Sequence, residues 1–122
     1  MKIAIVEDDQ TISQMYRIKF ESEKFDVDTA ENGKLGLKLV QEMRPDMLLL
    51  DLMMPEMNGD EMLTLMRKTD WGKDVPVIIL TNMGEAEIPP HVMDLGVAQV
   101  ILKADMTPSQ VVALVKKQLA IS

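Results

Sequence analysis

Met47-Leu48-Leu49-Leu50-Asp51-Leu52-Met53-Met54-Pro55-Glu56-Met57-Asn58-Gly59 is the segment that decides the fold. Its first four residues are uniformly apolar and of strand length, without the polar alternation of a half-solvated strand, so they fit a strand covered on both faces. The run then meets a lone carboxylate, Asp51, with apolar residues on either side. A charge in such a stretch is costly to bury without partners, so Asp51 points to a polar cluster at this strand's end.

Working outward, four further Val/Ile/Leu-rich runs recur along the chain: Ile3 to Val6, Phe25 to Val27, Val75 to Leu80 and Val97 to Leu102. Between them lie stretches with helical spacing: Ile12, Met15, Tyr16 and Phe20; Leu39, Val40 and Met43; Met62, Leu65 and Met66. The last segment is the clearest helix, with Thr107 as N-cap, Pro108 at the first position, Gln110 completing a capping box, and Val111, Val112, Leu114, Val115 and Leu119 as its stripe. Asn32-Gly33, Asn58-Gly59 and Trp71-Gly72 fall where loops are needed. Strands alternating with helices predict an α/β fold with a parallel sheet covered on both sides. Pro89-Pro90 interrupts the fourth helix, which is expected to start near Pro89, end before Gly96, and leave Gly84 to Ile88 as loop.

The chain has 122 residues with no low-complexity tract or linker, and reads as one domain, 1–122, without an output module. A start at Met1 favours a native N-terminus, while the end soon after the fifth helix suits either a stand-alone unit or a piece of a longer protein. Cysteine is absent, which removes disulfide frameworks, thiolate nucleophiles and zinc fingers. No signal-peptide layout or bilayer-length apolar run is present, so a cytoplasmic protein without membrane insertion is expected. The net charge of −7 is the wrong sign for phosphate backbones, and no direct nucleic-acid role is expected. Twelve Met against four aromatic residues imply a core filled by flexible thioethers.

In an open parallel sheet, ligands bind outside the carboxyl ends of the strands. Reading the residues there gives Glu7-Asp8-Asp9 after the first run, Thr29 after the second, Asp51 after the third, Thr81 after the fourth and Lys103 after the fifth. Carboxylates crowded at one edge repel each other and raise some of their pKa values unless a cation is held there. Mg²⁺ suits such a set, being bound by one or two carboxylates together with phosphate oxygens. Lys103 offers a fixed positive charge and Thr81 a neutral donor, so the groups suit a transferred phosphoryl better than a sugar or a hydride carrier. Taken singly, each has an ordinary explanation: acidic loop residues cap helices, Thr81 fits an N-cap, and Lys103 fits a lysine snorkelling at a strand end. Four coincidences at four strand ends favour a site.

These residues resemble the receiver domain of two-component response regulators over essentially the whole chain. Ile5-Val6-Glu7-Asp8-Asp9 is similar to that family's acidic pair, Asp51 to Gly59 to its phosphoacceptor loop, and Val77 to Thr81 and Val100 to Lys103 to its last two strands. The resemblance implies a doubly wound, flavodoxin-like sheet of order 2-1-3-4-5, an order for which a receiver protein is itself a standard illustration. It implies that Asp51 accepts a phosphoryl group from a phosphohistidine on a sensor histidine kinase or a histidine phosphotransfer protein. Asp8 would hold Mg²⁺ directly and Glu7 through water, with Asp51 and the backbone carbonyl of Met53. Lys103 would pair with Asp51 and then with the phosphoryl group, which Thr81 would also hydrogen-bond. Asp9 would be a loop charge near the start of the first helix. Thr81, Asn82 and Val100 would form the switch region, and the face of helix 4, strand 5 and helix 5 would meet a downstream protein, with a homodimer left open. On this reading the chain is a signalling domain and not an enzyme, catalysing only its own phosphoryl transfer and dephosphorylation.

The chain departs from the family's pattern at Val100, where an aromatic is common, and at Ala104, where proline is common and where no cis peptide is expected. A switch without the ring would act through other packing, such as Met83 or the Gly84 to Ile88 loop. Met53 is apolar and offers no hydrogen bond to a hydrolytic water, and Asn82 is larger than the small residue often found there, so slow self-dephosphorylation is expected. The alternative is a pseudo-receiver, a protein-interaction module not controlled by phosphorylation. A flavin-binding relative fails because Glu7-Asp8-Asp9 would repel a phosphate, and a haloacid dehalogenase phosphatase fails because Met53 stands where it needs a second aspartate. The single His91 is expected at the surface.

Overall fold

The structure is a computed structural model that describes residues 1–82 and 87–120. Among these residues five strands alternate with five α-helices: β1 (Lys2–Val6), α1 (Gln10–Ser22), β2 (Asp26–Ala30), α2 (Gly33–Met43), β3 (Met47–Leu50), α3 (Gly59–Arg67), β4 (Val77–Thr81), α4 (Pro90–Met93), β5 (Gln99–Leu102) and α5 (Pro108–Gln118). All pairings are parallel and the order is β2-β1-β3-β4-β5, as expected. The alternation of side chains along each strand splits the core in two. Ile3, Ile5, Met47, Leu49 and Ile78 face α1 and α5, where Tyr16, Phe20, Val111, Val112 and Val115 close over them. Ala4, Val6, Leu48, Leu50 and Ile79 face α2, α3 and α4, where Val40, Met62, Leu63, Met66 and Val92 do the same.

Capping sets the helix starts. The Thr107 side chain accepts from the Gln110 N–H while the Gln110 side chain accepts from the Thr107 N–H, with Pro108 following, as the sequence predicts. Asn32 and Asn58 cap α2 and α3, so the two Asn-Gly pairs expected as loops are helix starts; Trp71-Gly72 does lie in a turn. Gly33 is required by close approach, because a Cβ there would stand 2.4 Å from the Met57 carbonyl oxygen.

Several boundaries differ from the sequence reading. β2 starts at Asp26 and ends at Ala30, one residue past Thr29; Phe25 instead turns its ring edge-on to Phe20, centroids 5.3 Å apart. β4 starts at Val77, after Pro76 has removed a ladder donor, and β5 starts at Gln99. Met15 and Leu65, both read into apolar stripes, are 44% and 42% exposed, and Ser13 takes the buried position on α1. α4 is short and late, as Pro89-Pro90 dictates; Glu87 and Ile88 lie outside it, and 84–86 of the expected loop fall outside the described residues. After β5 the chain makes one 3-10 turn, Lys103–Asp105, and no cis peptide bond occurs among the described residues.

Candidate functional site

Register brings the polar residues together. Val6 pairs with Leu50, so Glu7 and Asp51 leave adjacent strands side by side. The sheet's hydrogen bonding continues one residue further: the Glu7 N–H donates to the Ala30 carbonyl and the Asp51 N–H to the Val6 carbonyl, each at 3.0 Å. Thr81, the last residue of β4, pairs with Leu102, which places Lys103 one residue past it. Behind Asp51 the chain turns and α3 starts against it. The Gly59 N–H donates to the Leu52 carbonyl at 2.9 Å, and a Cβ on Gly59 would stand 2.1 Å from the Asp51 carbonyl oxygen. Only glycine admits that approach, so the Asn58-Gly59 pair fixes the backbone that carries Asp51.

Glu7, Asp51 and Thr81 are buried, and Lys103 lies nearly so. The Lys103 ammonium donates to Glu7 Oε1 and stands 3.5 Å from Asp51 Oδ2. Asp51 Oδ1 accepts from the Met53 N–H at 3.4 Å, and Glu7 Oε2 accepts from the Asp9 N–H at 3.2 Å. Asp8, exposed, completes a cluster in which one carboxylate oxygen each from Glu7, Asp8 and Asp51 lies within 4.8 Å of the others. A cleft of about 240 Å³ opens over these groups, lined also by Thr81, Asn82 and Met53.

Crowding has the expected electrostatic result. Burial, opposed by the Lys103 bond and aided by the charge and hydrogen bond of Asp51, pushes the Glu7 carboxyl up to about 7. Burial pushes Lys103 down, but the Glu7 bond and the neighbouring carboxylates outweigh it and leave the ammonium above its usual value. The three carboxylates present hard oxygen donors to one point, which fits a divalent cation such as Mg²⁺.

Glu7, Asp8, Asp51, Met53, Thr81, Asn82 and Lys103 therefore all line one cleft. Val100 does not; it is half-buried and packs with the α2, α3 and α4 side of the core. Met83 falls outside the described residues. Asp9, expected as a loop charge, caps α1 by accepting from the Thr11 and Ile12 N–H groups. Sequence reasoning paired Lys103 with Asp51 and missed Glu7 as its nearer partner; the two are 96 residues apart, and no local pattern signals the bond. His91 is exposed, as expected, and lies 3.4 Å from Asp60 of α3.

The family model of the response regulator receiver domain matches residues 3–116. The chain is 35% identical over 118 residues to the phosphate regulon transcriptional regulatory protein PhoB of Rhizobium meliloti (strain 1021), covering 97% of this chain and 52% of that protein. It is 34% identical over 118 residues to the DNA-binding response regulator MtrA of Mycolicibacterium paratuberculosis (strain ATCC BAA-968 / K-10), covering 97% and 51%. The chain thus spans about half the length of the curated relatives it matches. Among solved structures, chemotaxis protein CheY4 of Vibrio cholerae superposes with a TM-score of 0.86 at 25% identity, over 95% of this chain and 96% of that one.

Proposed function

The chain belongs to the response regulator receiver domain family, and from that premise we propose that it is a phosphorylation-dependent switch with Asp51 as phosphoacceptor. One observation carries the reading: a buried aspartate at a strand end, 3.5 Å from a mostly buried ammonium and clustered with an acidic pair, under an open cleft.

Asp51 takes a phosphoryl group from a phosphohistidine of a sensor kinase or phosphotransfer protein. A carboxylate oxygen of Asp51 forms the new P–O bond as the donor's P–N bond breaks, and the imidazole leaves with a proton from solvent. Glu7, Asp8, Asp51 and the Met53 carbonyl would hold Mg²⁺, which when bound neutralises charge on the transferring group. Lys103 stabilises an oxygen of the phosphoryl that Asp51 receives, and Thr81 supplies a hydroxyl to another. Lys103 leaves Glu7 or shares its protons with the new anion, and that exchange biases the residues after β4 and β5 toward a second arrangement. Asn82 and Val100 belong to that region, and the face of α4, β5 and α5 then meets a downstream protein or a second copy. The unit makes no direct nucleic-acid contact, given its net charge of −7, and no helix among its described residues is long and apolar enough to cross a membrane. Its chemistry is confined to gaining and losing its own phosphoryl group.

Intact mass after incubation with Mg²⁺ and acetyl phosphate tests this, with Asp51→Asn alongside. Gain of one phosphoryl group by the wild type alone is expected. No gain in either, repeated with a phosphorylated kinase domain as donor, would replace the switch by an interaction module.

A further inference from the structure

Methionine fills the core here, and Met47, Met62 and Met66 are fully buried, but Met53 is 65% exposed. The other exposed methionines among the described residues, Met1, Met15 and Met93, line neither space beside Asp51. Met53 lines both: the acidic cleft, and an adjoining groove of about 520 Å³ that it shares with Leu52, Met54, Pro55 and Pro89. Its N–H is already tied to Asp51 Oδ1, so its position follows that of the phosphoacceptor. An exposed thioether at this place is open to soluble oxidants, and it is apolar where every other cleft side chain but Ile12 is polar.

We propose that Met53 is a peroxide-oxidation site that sets the lifetime of phosphorylated Asp51, an inference that rests on the phosphoacceptor reading. The sulfur lone pair attacks one peroxide oxygen, the S–O bond forms as the O–O bond breaks, and the departing hydroxide takes a proton to leave as water. Sulfur is oxidised by two electrons and the peroxide is reduced by two. The product, a sulfoxide, places a strong hydrogen-bond acceptor in the cleft beside Asp51, where the thioether offered almost none. That acceptor orients a water toward the acyl phosphate and shortens its life. A thiol-dependent sulfoxide reductase reverses the change: two thiols are oxidised to a disulfide, the sulfoxide is reduced to the thioether, and its oxygen leaves as water.

The test compares wild type, Met53→Leu and Met53→Gln, each phosphorylated with Mg²⁺ and acetyl phosphate before and after limited hydrogen peroxide. Peptide mass locates the added oxygen and intact mass follows phosphoryl loss. The expected result is oxygen on Met53, a lifetime shortened on the order of tenfold in the wild type, and the same ratio near one in Met53→Leu. Met53→Gln, which carries an acceptor permanently, is short-lived and insensitive to peroxide. An unchanged wild-type lifetime with Met53 oxidised, or an equal loss in Met53→Leu, overturns the inference while leaving Asp51 as acceptor. Failure of the untreated wild type to gain a phosphoryl group from acetyl phosphate and from a phosphorylated kinase domain alike overturns the phosphoacceptor reading and this inference with it.

Discussion

Among the described residues, a half-buried cation stands at each end of the sheet, Arg67 at one and Lys103 at the other, and the two are held differently. At the end where β4 and β5 begin, Arg67 of α3 donates to five backbone carbonyls: Gly72, Lys73 and Val75 before β4, and Leu95 and Gly96 before β5. At the end where they finish, Lys103 faces two carboxylates, Glu7 and Asp51. Burial pushes Arg67 below its usual range, with Asp74 opposing, yet a guanidinium stays cationic, and its acceptors are neutral and fixed by the backbone. The partners of Lys103 are carboxylates, and on the proposed reading they are the groups that would meet a metal and a phosphoryl group. A cation held by carbonyls ties loops together, whereas one held by titratable carboxylates can respond to chemistry.

The largest effect that would sharpen this contrast is at Lys103. Lys103→Met should lower the rate of phosphoryl uptake by about a hundredfold, measured by intact mass against time, because the charge opposite the incoming group is lost. Arg67→Met should leave the uptake rate of the folded protein within about twofold and cost about 2 kcal/mol in urea unfolding, since three part-buried carbonyls lose their donor. If Arg67→Met slowed uptake as much as Lys103→Met, the two ends would not be separable.

Glu7 gives a pH test with a definite sign. Its folded value of about 7 lies above the ordinary 4.5, so its contribution is fully present below pH 4.5 and is lost as pH rises through 7. Without divalent cations, the wild type should lose about 2 to 3 kcal/mol between pH 4.5 and 8 relative to Glu7→Gln, followed by urea unfolding. Millimolar Mg²⁺ should reduce that loss by binding the ionised cluster. A wild type that tracks Glu7→Gln across this range would mean that Glu7 is not strained by its neighbours.

The smallest effect is a control at the Lys103 end. Thr107→Ala removes the N-cap of α5 and should cost about 1 kcal/mol with no change in uptake rate. A fall in uptake of tenfold or more there would show that the whole edge, and not the charge cluster, governs the chemistry.

The residues of this edge were legible because a parallel sheet forces the position after each apolar run to the same side. Glu7, Asp51, Thr81 and Lys103 could be read in order without any distance. The α5 start was equally legible, since Thr107, Pro108 and Gln110 cap through neighbours three residues apart. Arg67 was not, because its acceptors are main-chain carbonyls, and every residue type carries one. The Lys103–Glu7 bond was missed because strand order places three partners near each other without ranking them. Phe25 misled the β2 boundary because an apolar residue before an edge strand packs as well in the turn, against Phe20, as in the strand.

The contrast is tested most directly by NMR of the Lys103 side-chain CεH₂ and the Arg67 Nε–H before and after acetyl phosphate with Mg²⁺, with spectra in Mg²⁺ alone as reference. The Lys103 signal should shift as a phosphoryl oxygen replaces carboxylate partners, while the Arg67 signal stays in place. A Lys103 signal that does not move in a protein whose mass shows one added phosphoryl group would contradict the account.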